Sequence, residues 1–458
     1  MTDRQPQRVR PATRRRLHIP SAFLLGLVAG TVLGVVGTLT WQVLPDGSAP
    51  ERGKLLILSG RDTSDNQQRR KLIERWNQEH PDNQAELVET AVIADQQRSD
   101  MVAIAQAQAA PGRAEDPDHD IDIYNLDVTF TAEFAAAGYL RPIDQSRLAE
   151  GHLTQFVPEV LDSCRYQGDL WALPFNTDAG LLYYRTDLLG GAADAPGQRR
   201  FDWNTVIERS RALADPAGRG GRPTIGYAGQ FGPYEGLTVN GMELIWSGGV
   251  DSLVDENTNR VIFQRERWER PLRQVAAARK EGLLARNAFG VPGDEGSSLA
   301  DFGQRRALFM RNWPVNYPKL ATPDGVPTPQ APFQVTRLPG PSALGGQNLA
   351  VAKQSRQPRA AQALIEFLTS RESQTQLFEP GGFAPTRNDV YADEDLRGKF
   401  PYLGLLAEVV REARVRPRVP HYFQFSQVFR EGVRTALEGD GTLPKDFETR
   451  LNQALHGG

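Results

Sequence analysis

The sequence predicts an α/β fold with parallel sheets covered by helices and divided into two lobes. A buried-strand pattern at 55–60 is followed by a helical pattern, by a second strand pattern at AELVETAVI (85–93) and by a second helix around Met101–Ala110. This alternation is typical of βα units. About 400 residues remain after the N-terminal segment, which suits two lobes better than one hydrophobic core.

The N-terminal segment predicts export and membrane attachment. Residues 1–18 contain six arginines and one aspartate, whereas residues 19–44 contain no charged residue. This uncharged stretch is long enough to span a bilayer, since roughly 20 residues are needed. Because the arginines precede it, we expect a signal anchor with its N-terminus in the cytoplasm and the rest of the chain outside the cell.

A cleaved signal peptide is the alternative. Its apolar region should be shorter and should end at a small-x-small cleavage site. No such site follows Leu44, although TRRRL (13–17) resembles a twin-arginine signal. We therefore expect a retained transmembrane helix at 19–44 and a short polar linker at 45–53 that keeps the exported domain close to the membrane.

The first helix of the exported part has a start signal and a stop signal. Ser64 or Asp65 is placed to cap its N-terminus, and His80-Pro81 ends it. The spacing of the apolar residues predicts a buried face made of Leu72, Ile73 and Trp76.

A carboxylate follows the third strand pattern. The apolar run IDIYNL (121–126) ends on Asp127, and a helix that Gly138 would terminate follows. The residues with the spacing of one buried face of this helix are Phe130, Phe134 and Ala137. An acid at the carboxyl end of a buried strand faces the crevice in which open α/β sheets bind ligands.

A second carboxylate lies where the chain is expected to change lobes. Pro174 interrupts the apolar pattern before Asp178, and LLYY (181–184) resumes it as a buried strand. This pattern is typical of a chain that leaves one lobe and enters another.

Composition and motifs exclude several classes of function. The 53 basic residues are offset by 56 acidic residues, so we expect no nucleic-acid binding. Cys164 is the only cysteine and is expected to be a buried apolar residue, the alternative being a reactive thiol. No histidine pair has metal-binding spacing, and neither a phosphate-binding loop nor G-x-S-x-G occurs. We expect no metal, no cofactor and no α/β-hydrolase site.

Two stretches, NLDVTFTAEFAAAGYLRPI (125–143) and DLWALPFNTDAGLLYYRTDL (169–188), resemble the extracellular solute-binding proteins of sugar ABC importers. That class includes the maltose- and trehalose-binding receptors. The resemblance extends from about Lys54 to the C-terminus, and the family's lipobox cysteine is missing, which favours the signal anchor. The further blocks, in the order of the family, are LIERWNQEHPD (72–82), YEGLTVNGMELIWSGG (234–249), LFMRNWPVNYP (308–318), GGQNLAVAKQS (345–355), GGFAPTRNDVY (381–391) and RPRVPHYFQFSQVFREGVRTALEG (416–439).

The resemblance implies a two-lobed periplasmic-binding-protein fold of type II with a hinge between the lobes. The N-terminal lobe would contain residues 54–178 with 333–379, and the C-terminal lobe residues 179–332 with 380–458. The hinge crossings, where a few residues absorb domain closure, would lie near Phe175–Asp178, Pro332 and Gly381–Gly382.

Sugar recognition requires aromatic faces that stack on a pyranose and planar polar groups that bond its hydroxyls. Trp313 falls at the family's ring-stacking position, and Asp127 and Asp178 fall at positions that bind hydroxyls. Each aspartate has an alternative role as a helix N-cap. The full set of binding residues that the resemblance and the strand ends indicate is Arg61, Tyr124, Asn125, Asp127, Asn176, Asp178, Tyr234, Glu235, Trp313, Gly346, Arg387 and Tyr422.

The resemblance implies a binding protein rather than an enzyme. The protein would capture an oligosaccharide, such as a trehalose- or maltose-like α-glucoside, as a monomer and present it to the membrane subunits of an ABC permease. One alternative is an anchored sugar sensor that acts through a membrane partner. Another is a glycoside hydrolase, which would need Asp127 and Asp178 as a tuned carboxylate pair.

Overall fold

The computed structural model describes residues 50–458 except 63, 65, 114–115, 117–118, 192–193, 286–287, 292 and 322–331. The transmembrane helix predicted at 19–44 and most of the linker predicted at 45–53 lie outside the described residues. Among the residues that are described, no helix combines the length and the apolar character needed to cross a membrane.

The α/β class predicted from the sequence is confirmed by an alternation of strands and helices. The strands are β1 (Leu55–Ser59), β2 (Ala85–Glu89), β3 (Ile123–Asp127), β4 (Arg165–Tyr166), β5 (Asp169–Leu170), β6 (Leu173–Ala179), β7 (Leu181–Arg185), β8 (Ile225–Ala228), β9 (Val254–Asp255), β10 (Arg260–Val261), β11 (Ala307–Asn312), β12 (Phe333–Arg337) and β13 (Leu344–Val351). The α-helices are α1 (Gln68–Glu79), α2 (Ala94–Ala109), α3 (Thr131–Ala136), α4 (Pro158–Asp162), α5 (Thr186–Leu189), α6 (Trp203–Leu213), α7 (Glu235–Ser247), α8 (Arg265–Lys280), α9 (Glu295–Gly303), α10 (Pro358–Leu368), α11 (Arg371–Phe378), α12 (Asn388–Tyr391), α13 (Glu394–Lys399), α14 (Leu403–Glu412), α15 (Tyr422–Glu438) and α16 (Phe447–Leu455).

Two main sheets organise these elements. The first has the strand order β2-β1-β3-β13-β6, and the second has the order β12-β7-β11-β8. Strands β1, β2 and β3 pair in parallel, as the βα alternation predicts, but β13 is antiparallel to both of its neighbours. In the second sheet β7 is antiparallel to β11 and β12. Both sheets are therefore mixed rather than wholly parallel.

The chain passes between the two sheets at Gly180, which alone separates β6 from β7. A Cβ at Gly180 would lie 2.8 Å from the guanidinium of Arg311, so a larger residue here would have to displace that side chain. The next passage lies between β12 and β13, because Phe333–Arg337 pairs with β7 in the second sheet. The boundary drawn at Pro332 from the sequence is therefore displaced to the segment 338–343.

Local predictions are confirmed where the apolar spacing is strong. Leu72, Ile73 and Trp76 are buried on α1, which ends at His80. The helix starts with Gln68, whose backbone N–H donates to Oγ of Ser64 at 2.8 Å. The prediction of Ser64 as the N-cap is nevertheless wrong, because that position is occupied by Gln67, which forms no side-chain cap bond. The alternative, Asp65, lies outside the described residues.

The helix after β3 is shorter than its pattern suggests. Phe130 and Phe134 are buried, but Ala137, the residue after the last residue of α3, is exposed. Gly138 follows with a φ of +73°, the left-handed conformation expected of a terminating glycine. Cys164 is fully buried, and burial raises the pKa of its thiol, so the expectation of a buried apolar residue is confirmed.

Candidate binding cleft

The floor of a cleft is formed where three neighbouring strands of the first sheet align their polar residues. Asp127 on β3 is the register partner of Gln347 on β13, which pairs in turn with Asn176 on β6. Two residues further along β6, Asp178 lies opposite Gly345. The register therefore places one carboxylate and two amides side by side, with a second carboxylate beside them.

Gly346 permits this close arrangement. It has a φ of +114°, and a Cβ at this position would lie 2.2 Å from the carbonyl oxygen of Asn176 and 2.6 Å from Cα of Thr177. Its own carbonyl oxygen accepts a hydrogen bond of 3.1 Å from the backbone N–H of Val128. No side chain fits here without displacing β6.

The opposite wall belongs to the second sheet and its helices. It is made by the first turns of α7 and α9 and by the segment that follows β11, which begins with Trp313. The space between floor and wall has a volume of about 420 Å³, which lies within the range of small-molecule sites, roughly 300–1,000 Å³.

Arg416 connects the floor to the wall. Its Nη2 donates to Oδ1 of Asp127 at 2.9 Å, and its Nη1 donates to Oε1 of Glu235 at 2.7 Å. The side chain is 2% exposed, and its Nε has no hydrogen-bond partner among the described residues. A buried guanidinium between two carboxylates is a stable arrangement only while both partners remain.

Glu235 is the most enclosed carboxylate of the cleft lining. Its oxygens accept hydrogen bonds from the hydroxyls of Tyr422 and Ser426 as well as from Arg416. Burial raises the pKa of this carboxyl, although Arg416 and the two hydroxyls oppose that effect. Glu235 is therefore fixed in one orientation at the start of α7.

A second buried arginine supports the floor from α1. Nη2 of Arg69 donates to Oδ1 of Asn176 at 3.4 Å and, at a shorter distance, to Oε1 of Gln347. Its guanidinium lies between the rings of Phe175 and Phe383, at 5.7 and 4.9 Å from their centroids. Arg69 consequently fixes the oxygen atoms of both amides and leaves their N–H groups to face other partners.

Asp178 is a cleft carboxylate with spare hydrogen-bonding capacity. Its Oδ1 is buried and has no hydrogen-bond partner within the described part of the chain. Burial raises the pKa of Asp178 to about 7, while Arg311 and Arg69 oppose this rise. Such an oxygen is suited to accept a hydrogen bond from a ligand hydroxyl.

Trp313 presents the aromatic face of the wall. The guanidinium carbon of Arg311 lies 3.7 Å from the ring centroid and occupies one face of the indole. The indole Nε1–H donates to Oε1 of Glu295 at 3.1 Å, and the other oxygen of Glu295 accepts from the hydroxyl of Tyr234 at 2.7 Å. The ring is partly exposed and lines the cleft.

The structure brings together a majority of the binding residues predicted from the sequence. Those that line the cleft are Arg61, Asp127, Asn176, Asp178, Glu235, Trp313 and Gly346. Neither aspartate precedes an α-helix directly, although Oδ1 of Asp127 also accepts a hydrogen bond from the backbone N–H of Thr129 at 3.0 Å.

The other five predicted residues do not line the cleft, and three of them hold parts of its lining. Asn125 donates to Ser59 and Gln347 beneath the floor. Tyr422 and Tyr234 hold Glu235 and Glu295, respectively.

The last two of these five are further from the cleft. The hydroxyl of Tyr124 donates to Gln108 in the core, and Arg387 forms a bidentate ion pair with Asp389. Tyr124 points away because side chains alternate along its strand, and Asn125 and Asp127 occupy the other face.

Several lining residues were not predicted as binding residues, namely Arg69, Gln97, Glu295, Gln347, Phe383 and Arg416. Glu295 had a local signal in the sequence. It follows Asp294, which forms a capping box with Ser297 and so marks the first turn of α9, part of the cleft wall. Arg69 and Arg416 had none, because their roles depend on partners far away in the sequence.

Comparison with known proteins agrees with this architecture. Residues 61–375 match the family described as bacterial extracellular solute-binding protein. A Deinococcus radiodurans protein described as "probable ABC transporter-binding protein" is 29% identical over 345 residues, which cover 72% of this chain and 79% of the relative.

Solved structures show the same two-lobed α/β fold. The maltose-bound MalE3 of T. maritima is 26% identical, with a TM-score of 0.72 over 88% of this chain and 99% of the other. An ABC transporter solute-binding protein of Thermotoga lettingae, bound to α-D-tagatose, is 21% identical, with a TM-score of 0.71 over 88% of this chain and 98% of the other.

Proposed function

Because the chain belongs to the bacterial extracellular solute-binding protein family, whose members bind solutes rather than transform them, we propose that its cleft captures a trehalose- or maltose-like α-glucoside for an ABC importer. One observation carries this proposal. A partly exposed aromatic ring, Trp313, lines the same cleft as the row of Asp127, Gln347 and Asn176. An aromatic face together with planar polar groups suits the two unlike sides of a pyranose ring.

The size and chemistry of the cleft support a short, neutral ligand. A volume of about 420 Å³ lies near the lower end of the range for small-molecule sites, which favours one or two sugar rings over a long chain. The first turns of α7 and α9 each contain a glutamate, Glu235 and Glu295, which compensates the positive helix end. A neutral polyol fits these walls better than a sugar phosphate.

The maltose that MalE3 binds is consistent with an α-glucoside ligand here. The test is a thermal-shift screen of a chain beginning near Glu51 against mono-, di- and trisaccharides, followed by calorimetric titration. A ligand at 100 times its Kd stabilises the native state by about 2.7 kcal/mol, so a fitting sugar gives an evident shift. If every glucoside fails and an unrelated polyol or an anionic sugar binds, the proposed ligand is wrong.

We also propose that residues 19–44 are retained as a membrane anchor and that the exported domain is a monomer. The absence of charge from this segment supports the anchor. Mass spectrometry of the mature protein provides the test, since a new N-terminus beyond residue 44 would replace the anchor with a cleaved signal. Light scattering measures the molar mass of the exported domain in solution, and a mass above that of one chain would contradict the monomer.

An anchored sensor is the second candidate function, and the same uncharged segment favours it. A sensor needs a membrane partner with a cytoplasmic output, whereas an importer needs permease subunits. Cross-linking of the full chain in its native membrane, followed by identification of the captured protein, distinguishes the two. Capture of permease subunits supports import, and capture of a signalling protein supports sensing.

A further inference from the structure

We propose that Glu295 is a positioning residue that fixes the indole of Trp313 for ligand stacking and acts on ligand binding through that ring. This inference rests on the proposed function, because it assigns a role within the same cleft. The orientation of the indole then depends on one carboxylate whether or not a ligand is bound.

The two oxygens of Glu295 are already engaged. Oε1 accepts from Nε1–H of Trp313 at 3.1 Å, and Oε2 accepts from the hydroxyl of Tyr234 at 2.7 Å. One donor on each oxygen sets the orientation of the carboxylate. Because hydrogen bonds to a charged acceptor are stronger than neutral ones, these two bonds also hold the edge of the indole firmly.

The backbone around Glu295 is held independently of its side chain. Asp294 and Ser297 form a capping box, with hydrogen bonds of 2.9 Å in both directions. The carbonyl oxygen of Glu295 accepts from Nδ2 of Asn312 at 3.1 Å, which ties the first turn of α9 to the end of β11. The carboxylate therefore projects from a fixed point and constrains the edge of the indole.

Arg311 constrains the same ring from its face. Its guanidinium, only 1% exposed, stacks 3.7 Å from the ring centroid and is held by two hydrogen bonds to Glu243, at 3.0 and 2.7 Å. One face and one edge of the indole are thus fixed by charged groups. We assign the remaining face to a sugar ring in the cleft.

The test is a double-mutant cycle of Glu295→Gln and Trp313→Phe, measured by calorimetric titration with the sugar found in the screen. An amide at position 295 accepts from one donor but turns its NH₂ toward the other. We expect E295Q alone to weaken sugar binding about 10-fold, as for loss of one hydrogen bond to a charged group. In the Trp313→Phe background, which lacks Nε1–H, we expect the same change to weaken binding by about 2-fold or less.

An equal loss in both backgrounds would mean that Glu295 contacts the sugar directly, and this outcome would overturn the proposal. Ser297→Ala is the control for a merely structural effect, because it weakens the capping box of α9 without touching the carboxylate. We expect Ser297→Ala to lower the melting temperature and to leave the coupling between positions 295 and 313 unchanged.

A second measurement needs no ligand and separates this inference from the proposed function. The near-ultraviolet circular dichroism contributed by Trp313 is obtained by subtracting the spectrum of Trp313→Phe from that of the parent protein. The same subtraction is made for Glu295→Gln, with the double variant Glu295→Gln/Trp313→Phe as its reference. We expect a much smaller Trp313 signal there, because the indole is no longer fixed. An undiminished Trp313 signal would refute the positioning role even if the protein binds sugar. Because the measurement uses no ligand, it tests the positioning role even if no sugar is found in the screen.

Discussion

Nη2 of Arg416 lies 2.9 Å from Oδ1 of Asp127, and this contact joins the segment after α14 to the end of β3 in the first sheet. The same guanidinium reaches Glu235 at the start of α7. All three charges belong to the cleft lining, so one buried cation joins the floor of the cleft to its wall.

Replacing Arg416 with methionine is expected to lower the free energy of unfolding by about 3–5 kcal/mol, because it leaves two carboxylates without their buried partner. Urea unfolding measures the change. Arg434→Met is the matched control, since Arg434 pairs with Glu438 on the exposed surface of α15 and such pairs contribute about 0–1 kcal/mol. Equal losses in the two variants would contradict the central role of Arg416.

Trp313→Ala is expected to weaken sugar binding by about 30-fold or more, the loss typical of an aromatic hot spot of about 2 kcal/mol. The apo protein should stay folded, because the indole is partly exposed. Trp171→Ala is the matched control: Trp171 is also half-buried and also donates from Nε1 at 3.1 Å, to the carbonyl oxygen of Tyr166 outside the cleft. Calorimetry should show retained affinity for this control and lost affinity for Trp313→Ala.

Asp178→Asn is expected to stabilise the apo protein at pH 8 and to have little effect near pH 4. Burial raises the pKa of Asp178 from 3.8 to about 7, with Arg311 and Arg69 lowering it and Asp127 and Glu295 raising it. Because the folded-state pKa lies above the unfolded one, the carboxyl opposes folding increasingly as the pH rises from about 4 to 7.

The size of the stabilisation by Asp178→Asn follows from the difference between the ordinary pKa of 3.8 and the folded-state pKa of about 7. Each pH unit between the two pKa values corresponds to about 1.4 kcal/mol, and relaxation of the cleft reduces the total, so we expect a gain of about 1–3 kcal/mol. Urea unfolding at both pH values is the measurement. Sugar affinity should fall in the same variant, because an amide replaces one acceptor oxygen with a donor. A stability change that is the same at both pH values would show that ionisation of Asp178 is not its cause.

Gly346→Ala is expected to unfold the protein or to destabilise it far more than Gly249→Ala. Both glycines have a positive φ, +114° and +84°, which costs a residue with a Cβ about 1–2 kcal/mol. A Cβ at Gly249 meets no atom within 4 Å, whereas one at Gly346 overlaps the backbone of Asn176. The difference in melting temperature between the two variants measures the effect of that overlap. Similar decreases in melting temperature would show that β6 shifts easily to make room for the Cβ.

The sequence reveals those features that depend on local spacing. The buried face of α1 and the strand that ends at Asp127 follow from apolar periodicity, which each residue expresses without reference to distant parts of the chain. The antiparallel insertion of β13 next to β3 does not follow from such a pattern, because pairing depends on contacts between residues far apart in the sequence.

The residues of the candidate site likewise fall into those marked by a local sequence pattern and those defined by contacts between distant parts of the chain. Asp127, Asp178 and Trp313 lie at strand ends or beside a proline, where a sequence pattern marks a loop facing the cleft. No pattern in the sequence distinguishes Arg69 and Arg416 from the other arginines. Their roles in the cleft become visible only in the fold, which places Gln347 beside Arg69 and Glu235 beside Arg416. Tyr124, conversely, is a plausible stacking residue that strand alternation turns into the core.

The position of β13 also determines the order in which the sheets can be completed during synthesis. It lies between β3 and β6, yet it follows β7, β8, β11 and β12 in the chain. A nascent polypeptide that ends before Leu344 already contains all four strands of the second sheet, while its first sheet remains split into two parts. The sheet whose strands are synthesised first is therefore completed last, and until Leu344–Val351 has been made β3 and β6 each present an unpaired edge of the kind that promotes aggregation.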